Sequence, residues 1–194
     1  MSNRAREGVI RRWLLAGAFA ISTAAAPGVG FAATNIFLQL DGIPGESTDA
    51  KHKEQIDILS YSLGLTNLAN TSSSSGAGAS SGKLACGALV LTKFVDKSSP
   101  PLIAAIAGGK HIKSGKLSFT ATGPKGGADY YVVSLTDLAV TAIQQSQASG
   151  SPKVTDQISF SVAKYAFEYQ QVQPNGTLGQ PQTAAVDCQA GSGR

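Results

Sequence analysis

Residues 156–172 read DQISFSVAKYAFEYQQV, and this stretch decides the fold class. Ile158, Phe160 and Val162 alternate with small or polar residues, which is the period of a half-buried β-strand. Further along, the large apolar residues move to the other parity, at Tyr165 and Phe167. That change of face predicts a β-bulge, or a strand that passes from one sheet to another.

The rest of the chain after residue 34 has the same strand composition. Similar runs, broken by Gly, Pro and polar residues, predict six more strands at residues 35–40, 55–65, 83–93, 116–122, 129–141 and 183–188. One helix is predicted at residues 102–107, because Ser and Pro precede it and Gly108 follows it. We therefore predict a mainly β fold, an antiparallel β-barrel or two-sheet sandwich with one short flanking α-helix.

Two polar segments separate the predicted strands. Residues 42–53 (GIPGESTDAKHK) contain a proline, two glycines and charges of both signs, which predicts a long exposed loop. His52 lies in this loop and His111 in another, so both are expected to be solvated. Residues 71–82 (TSSSSGAGASSG) are of low complexity and predict a flexible connection.

The first 33 residues have the order of a secretory signal peptide. Basic residues up to Arg12 precede an uncharged apolar run at 13–26, and small residues around Ala32 follow it. Cleavage is expected after Ala32 or Ala33. The alternative is an uncleaved membrane anchor, but Pro27 and nearby glycines cut the run short of a span. The pair Arg11-Arg12 also resembles a twin-arginine signal.

The charge of the remaining chain excludes a nucleic-acid footprint. The net charge of +4 includes four arginines and one glutamate before residue 33, which leaves 12 Lys and Arg against 11 Asp and Glu. A nucleic-acid-binding protein needs a clustered surplus of positive charge. No nucleic-acid partner is therefore expected.

The sequence offers no convincing catalytic, metal or cofactor site. The two histidines are 59 residues apart and neither has a second ligand at metal-binding spacing. Ser80 lies in a G-x-S-x-G match, but inside a serine- and glycine-rich tract and without the strand and helix that a nucleophile needs. An enzyme, such as a hydrolase using Ser80, is the least favoured hypothesis.

The only cysteines, Cys86 and Cys188, both lie in the part expected to be exported. Outside the cytoplasm two cysteines often form a disulfide. Two buried thiols that pack as small apolar residues are the alternative.

Three blocks of sequence resemble one protein family. They are Asn35 to Asp41 with the following G-E-S-x-D-x-x-H at residues 45–52, then T-K-F-x-D-K-S-S-P at 92–100, and Gly109-Lys-His. In order and spacing they resemble the haemolysin-coregulated protein (Hcp) family, the tube component of type VI secretion. The resemblance extends over residues 35–188, so residues 34–194 are expected to form a single Hcp-like β-barrel domain.

The resemblance implies a homo-oligomeric ring of six subunits, a hexamer, that stacks into a tube and carries effector proteins without catalysing a reaction. It assigns the contact between neighbouring rings to a ring-stacking loop, represented by Asp41, Gly45, Glu46, Ser47, Asp49 and His52. It assigns a helix on the lumen side, represented by Pro100, Leu102, Ile103 and Ile106. The partners implied are secretion-system components and effectors, with no stable membrane anchor after cleavage.

The export signal departs from the family pattern, because tube proteins leave through the injection machine without a cleaved signal. Either the start codon is misassigned, or the protein is an exported paralogue that acts as a periplasmic or extracellular binding ring. The expected location is exported, in the periplasm or outside the cell.

Overall fold

The computed structural model describes residues 34–68, 83–122, 127–173 and 175–193. This part of the chain is built mostly of antiparallel strands. The strands and the helix are β1 Thr34–Leu40, β2 Ile56–Ile58, β3 Ser60–Ser62, β4 Leu65–Leu68, β5 Lys83–Cys86, β6 Leu89–Phe94, α1 Ser99–Ala107, β7 His111–Ala121, β8 Ala128–Ser146, β9 Thr155–Tyr169, β10 Gln182–Asp187 and β11 Ser192–Gly193.

The main sheet closes on itself almost completely. β7 pairs with β1 on one side and with β8 on the other, and β8 pairs with β9. β9 pairs with β6, β6 with β3, and β2 with β1. Only Leu59 separates β2 from β3, so this step joins the two ends of the sheet into a barrel.

Strand β9 shows the predicted change of face, because Phe160 and Val162 are buried in its first part and Ala163 and Tyr165 in its second. Its first half pairs with β6 from Thr155 to Phe160, and its second half pairs with β10 from Lys164 to Tyr169. Opposite it, β8 carries a register shift between Val140 and Ala142. The predicted barrel with one flanking helix is therefore the fold that this sequence adopts.

The core lies inside the barrel and under the helix. It is made of aliphatic and aromatic side chains from β1, β2, β6, β7, β8 and β9, each at most 1% exposed: Leu38, Ile56, Leu89, Leu91, Leu117, Val133, Leu135, Leu138, Ile158 and Phe160. Burying one such side chain contributes about 1.5–3 kcal/mol. Leu102 adds the helix to the same cluster.

The ends of the helix differ in part from the prediction. Ser98 is the N-cap residue, but its side chain makes no capping bond. Its hydroxyl donates instead to Asp96 Oδ1 at 2.6 Å. At the other end Gly108 N–H bonds to Ala104 O, and Gly109 has a φ of 60°, which a glycine adopts without strain.

Three predictions need comment. The strand predicted at 83–93 is two strands, β5 and β6, because Gly87 and Ala88 interrupt it. His111 is the first residue of β7 rather than a loop residue. The predicted signal peptide, the connection at 71–82 and Ser80 within it lie outside the described residues.

Candidate functional site

Residues 41–55, here called the pinned loop, fold back on themselves between β1 and β2. Gly45 N–H donates to Glu54 O at 2.7 Å, Ser47 N–H to Gln55 O at 2.9 Å, and Glu54 N–H to Ser47 O at 2.9 Å. Gly45 is needed here because a Cβ atom would lie 2.2 Å from the carbonyl oxygen of Gln55. The loop is therefore a compact unit and not an extended arm.

His52 fixes this loop to the barrel. Its ring is stacked on Phe37, with 4.3 Å between the centroids, and its Nε2 lies 2.9 Å from Asp129 Oδ1 on β8. Thr120 of β7 donates to the same carboxylate oxygen at 2.7 Å. The ring's Nδ1 lies 3.2 Å from Gln55 Oε1. The prediction of a solvated histidine was wrong, because His52 is only 4% exposed and has partners on both ring nitrogens.

Ser47 and Asp49 shape the backbone that leads to His52. Asp49 Oδ1 accepts hydrogen bonds from the N–H groups of Lys51 at 2.9 Å and His52 at 3.1 Å. Ser47 Oγ accepts from Asp49 N–H at 3.3 Å. Such bonds from Ser and Asp side chains are typical of tight turns. Lys51 Nζ also donates to Gly127 O, which adds a second contact with the barrel.

The family-like G-E-S-x-D-x-x-H block therefore has an inner side and an outer side. Gly45, Ser47 and His52 are buried and hold the loop in shape, which corrects their expected exposure. Asp49 is partly buried. The exposed residues that remain for contact with another molecule are Asp41, Gly42, Pro44, Glu46, Thr48, Ala50, Lys51, Lys53 and Glu54.

A second buried polar cluster surrounds Lys93 on β6. Its ammonium group, 0% exposed, donates to Asp96 Oδ1 at 2.7 Å, Ser99 Oγ at 2.8 Å and Phe94 O at 2.9 Å. It also lies 3.2 Å from Asp156 Oδ2 on β9. A buried ammonium is tolerated only with such compensation.

Asp156 is held ionised within this cluster. Burial by itself would raise its pKa, but hydrogen bonds from Ser99, Gln145 and Lys93 outweigh that effect and lower the pKa below its ordinary value. The hydroxyl of Ser99 donates to Asp156 Oδ2, and Gln145 Nε2 donates to Oδ1 at 2.8 Å. The cluster thus ties the first turn of α1 to β6, β8 and β9.

Only some of the helix residues that the resemblance assigned to the lumen side are exposed. Leu102 is 0% exposed and packs into the core, so it anchors the helix and offers no accessible surface itself. Ile103 is 43% exposed, Pro100 is exposed and Ile106 is partly buried. The helix carries no charged residue.

The pinned loop and the segment before the helix touch each other. Glu46 Oε1 accepts a hydrogen bond from Lys97 N–H at 2.9 Å, and Lys97 Nζ lies 3.8 Å from Glu54 Oε1. Two of the three sequence blocks of the resemblance, those that contain Glu46 and Lys97, therefore meet at one surface. Two buried polar clusters, one around His52 and one around Lys93, hold the backbone and side chains of this surface in place.

Several of these partners were missed from the sequence. Lys93 has the same parity as Leu89 and Leu91, and Asp156 the same parity as Ile158 and Phe160, so alternation alone placed both charges inside. Their opposite signs were the available clue that they pair. The partners of His52 left no such signal, because Asp129 is 77 residues away.

The cysteines lie at a third place. Cys86, at the end of β5, and Cys188, just after β10, are joined by a disulfide with their Cα atoms 5.7 Å apart. Cys188 N–H also bonds to Ala163 O on β9 at 2.9 Å. Both cysteines line a surface groove of about 620 Å³, which also contains His111 and Asp137.

The described ranges contain neither a candidate metal site nor a membrane-spanning helix. No group of three or more His, Cys, Asp and Glu residues there could hold a metal ion. No helix among these residues is long and apolar enough to cross a membrane.

Comparison with known proteins identifies the family. The family model described as "Type VI secretion system effector, Hcp" matches residues 37–169. Protein hcp1 of Pseudomonas aeruginosa is 29% identical over 144 residues, which cover 74% of this chain and 88% of that protein. The solved structure of a type six secretion system protein has a TM-score of 0.76 at 27% identity, with 84% of this chain and 100% of that chain covered. Hcp1 from Salmonella typhimurium has a TM-score of 0.67 at 29% identity, with coverages of 84% and 99%. The chain therefore belongs to the Hcp family of type VI secretion system proteins.

Proposed function

We propose that this protein is a ring subunit, that six copies form the ring, and that rings stack into a tube that carries effector proteins. The main support is the family match over residues 37–169 together with the closed barrel. Subunits that bind head to tail along an axis generate a filament without further components. In this role the protein binds partners and does not transform a substrate.

The pinned loop is our candidate for the contact between rings. Two anchors, the buried His52 beneath it and the exposed Glu46 beside Lys97, restrict its freedom before it binds. A loop that is already ordered loses less conformational entropy on association. Its exposed residues Asp41, Thr48 and Lys53 offer polar and charged groups of both signs to a neighbouring subunit.

The helix is our candidate for the lumen wall. Its exposed residues Pro100, Ile103 and Ala104 are apolar, and the helix has no charge. A wall of this kind offers apolar contacts to a passing effector and no fixed charge to hold it tightly.

We also propose that the mature protein is exported and that Cys86 and Cys188 are paired there. The order of residues 1–33 supports export, and the disulfide in the structure is compatible with an oxidising compartment. These two features favour a second candidate, an exported paralogue whose ring binds ligands in the periplasm or outside the cell independently of the injection machine.

The first experiment measures the assembly of residues 34–194. Light scattering after size exclusion is expected to give about six subunit masses, the six copies expected of a closed ring, and negative-stain images are expected to show rings. Thr48→Arg, a bulky charge on the exposed part of the loop, should leave rings intact and prevent their stacking. Ala148→Arg, which adds the same charge at an exposed position between β8 and β9, is the matched control. A monomer at all concentrations would overturn the proposal.

The second experiment separates the two candidates in cells. Export that stops when the injection apparatus is disabled supports the tube role. Export that continues, with a mature protein beginning at Ala33 or Thr34, supports the independent ring.

A further inference from the structure

Strands β4 and β5 form a hairpin that stands apart from the barrel. They pair only with each other, from Leu65 opposite Cys86 to Leu68 opposite Lys83, as a separate two-stranded sheet. At the base of the hairpin Gly64 and Gly87 face each other, and Gly87 N–H donates to Gly64 O at 2.8 Å. Glycine has more backbone freedom than any other residue, so this base is suited to act as a hinge.

The hairpin has few bonds to the rest of the molecule. Among the described residues, one backbone hydrogen bond joins it to the C-terminal segment, from Leu84 N–H to Gly191 O at 3.1 Å. The side chain of Lys83 packs close to Gly191 as well. The remaining attachment is the disulfide from Cys86 to Cys188. The disulfide is therefore the strongest link that holds the hairpin in position.

The hairpin forms one wall of the groove in which both cysteines lie. The opposite wall is the surface of β7, β8 and β9, with His111, Thr141 and Ser161. Neither cysteine is fully buried, and the groove is open to solvent. A dithiol reductant can therefore reach the two sulfur atoms, which thiol–disulfide exchange requires.

We infer that the β4–β5 hairpin is a redox-controlled strap, closed over the groove by the disulfide and released when the disulfide is reduced. In the exchange a thiolate of the reductant attacks one cysteine sulfur and forms a mixed disulfide. The bond between Cys86 and Cys188 breaks in this step, and the other cysteine leaves as a thiolate that takes up a proton. The second thiolate of the reductant then displaces that cysteine. Cys86 and Cys188 each end as a thiol, and the reductant ends as a disulfide. Among the described residues, the Leu84–Gly191 hydrogen bond and the packing of Lys83 on Gly191 then remain, and the hairpin turns at Gly64 and Gly87.

Hydrogen exchange read by mass spectrometry tests this strap on the oxidised protein, residues 34–194, with and without dithiothreitol. Reduction is expected to make the amides at 65–68 and 83–86 exchange at least about tenfold faster, since a released hairpin opens locally. The amides of β1 and β7 should remain protected far longer than those of the hairpin. The variant Cys86→Ser/Cys188→Ser should match the reduced protein without any reductant.

Three results would overturn the strap. The hairpin could keep its protection after reduction, which would show that other contacts hold it. The hairpin and the barrel could come to exchange at the same rate, which would mean that reduction unfolds the whole domain and does not release the hairpin alone. Finally, two free thiols per chain in protein taken from the periplasm would show that Cys86 and Cys188 are not paired there. If the double variant does not fold, the reduced wild-type protein alone provides the disulfide-free sample for hydrogen exchange.

Discussion

At the scale of single residues, the most constrained group in the barrel is the ammonium of Lys93. It is fully buried between two carboxylates, Asp96 and Asp156, and a serine hydroxyl. Replacing such an ion pair by apolar groups is often harmless, whereas removing one partner leaves a buried charge without compensation. The stability of the fold therefore depends more on keeping the carboxylates beside Lys93 paired than on the charge of Lys93 itself.

Lys93→Met is expected to destabilise the fold by about 3–5 kcal/mol, because Asp156 then loses its buried counter-charge. Urea unfolding followed by circular dichroism measures the change. Lys113→Met, an exposed lysine on β7, is the control and should alter stability by less than about 0.5 kcal/mol. The double variant Lys93→Met/Asp156→Leu should be more stable than the single variant; if it is less stable, the carboxylate is not the cause.

Tyr165 gives a second prediction at this scale. Among the described residues its hydroxyl is the one buried side-chain polar atom without a hydrogen-bond partner, and burial raises its pKa from 10.0 to about 12. Above pH 10 the unfolded chain ionises this tyrosine while the folded chain keeps it neutral. The ionisation of Tyr165 therefore does not lower the free energy of unfolding below pH 10, and lowers it increasingly as the pH rises from 10 toward 12.

Tyr165→Phe is expected to gain about 1 kcal/mol at pH 7, since an unpaired buried hydroxyl is unfavourable. The gain should grow between pH 10 and pH 12, because the variant lacks this ionisation. Urea unfolding at several pH values measures it. A gain that stays constant over this range would show that Tyr165 titrates normally.

At the scale of elements, His52 is the buried side chain that attaches the pinned loop to the barrel. His52→Ala removes the stacking on Phe37 and the contact with Asp129. We expect the loop to detach while the barrel stays folded, so that trypsin cleaves after Lys51 and Lys53 much faster than in the wild type. His111→Ala, which affects an exposed histidine beside Asp137, is the matched control. Equal cleavage rates would show that the backbone bonds alone hold the loop.

The sequence predicted the elements better than the contacts between them. Alternation over residues 156–172 located β9 and its change of face, and Pro100 with Gly108 located the helix, because these signals are local. The burial of His52 could not be predicted in this way. It depends on Asp129 and Thr120, which only the barrel brings beside the loop. The same reason explains the missed contact between Glu46 and Lys97, 51 residues apart.

At the scale of the whole molecule, a single residue between β2 and β3 closes the barrel, and a disulfide outside the barrel adds a covalent link. The step at Leu59 joins β2 to β3, and the disulfide then links the hairpin after β3 to the segment after β10. The bridged cysteines are 102 residues apart, and this span contains α1 and most of the long strands. The disulfide therefore restricts the unfolded chain over more than half of its length.

Cys86→Ser/Cys188→Ser is expected to lower the free energy of unfolding by up to about 4–5 kcal/mol, the loss that chain entropy predicts for a closed loop of this size. Urea unfolding of the variant and of the oxidised wild type measures the difference. Reduced wild-type protein should unfold at the same urea concentration as the variant, which controls for the two serines. The variant should still fold, because the buried leucines and the Lys93 cluster do not depend on the bridge. Equal stability of variant and oxidised protein would contradict the prediction and would mean that the bridge constrains the hairpin without stabilising the barrel.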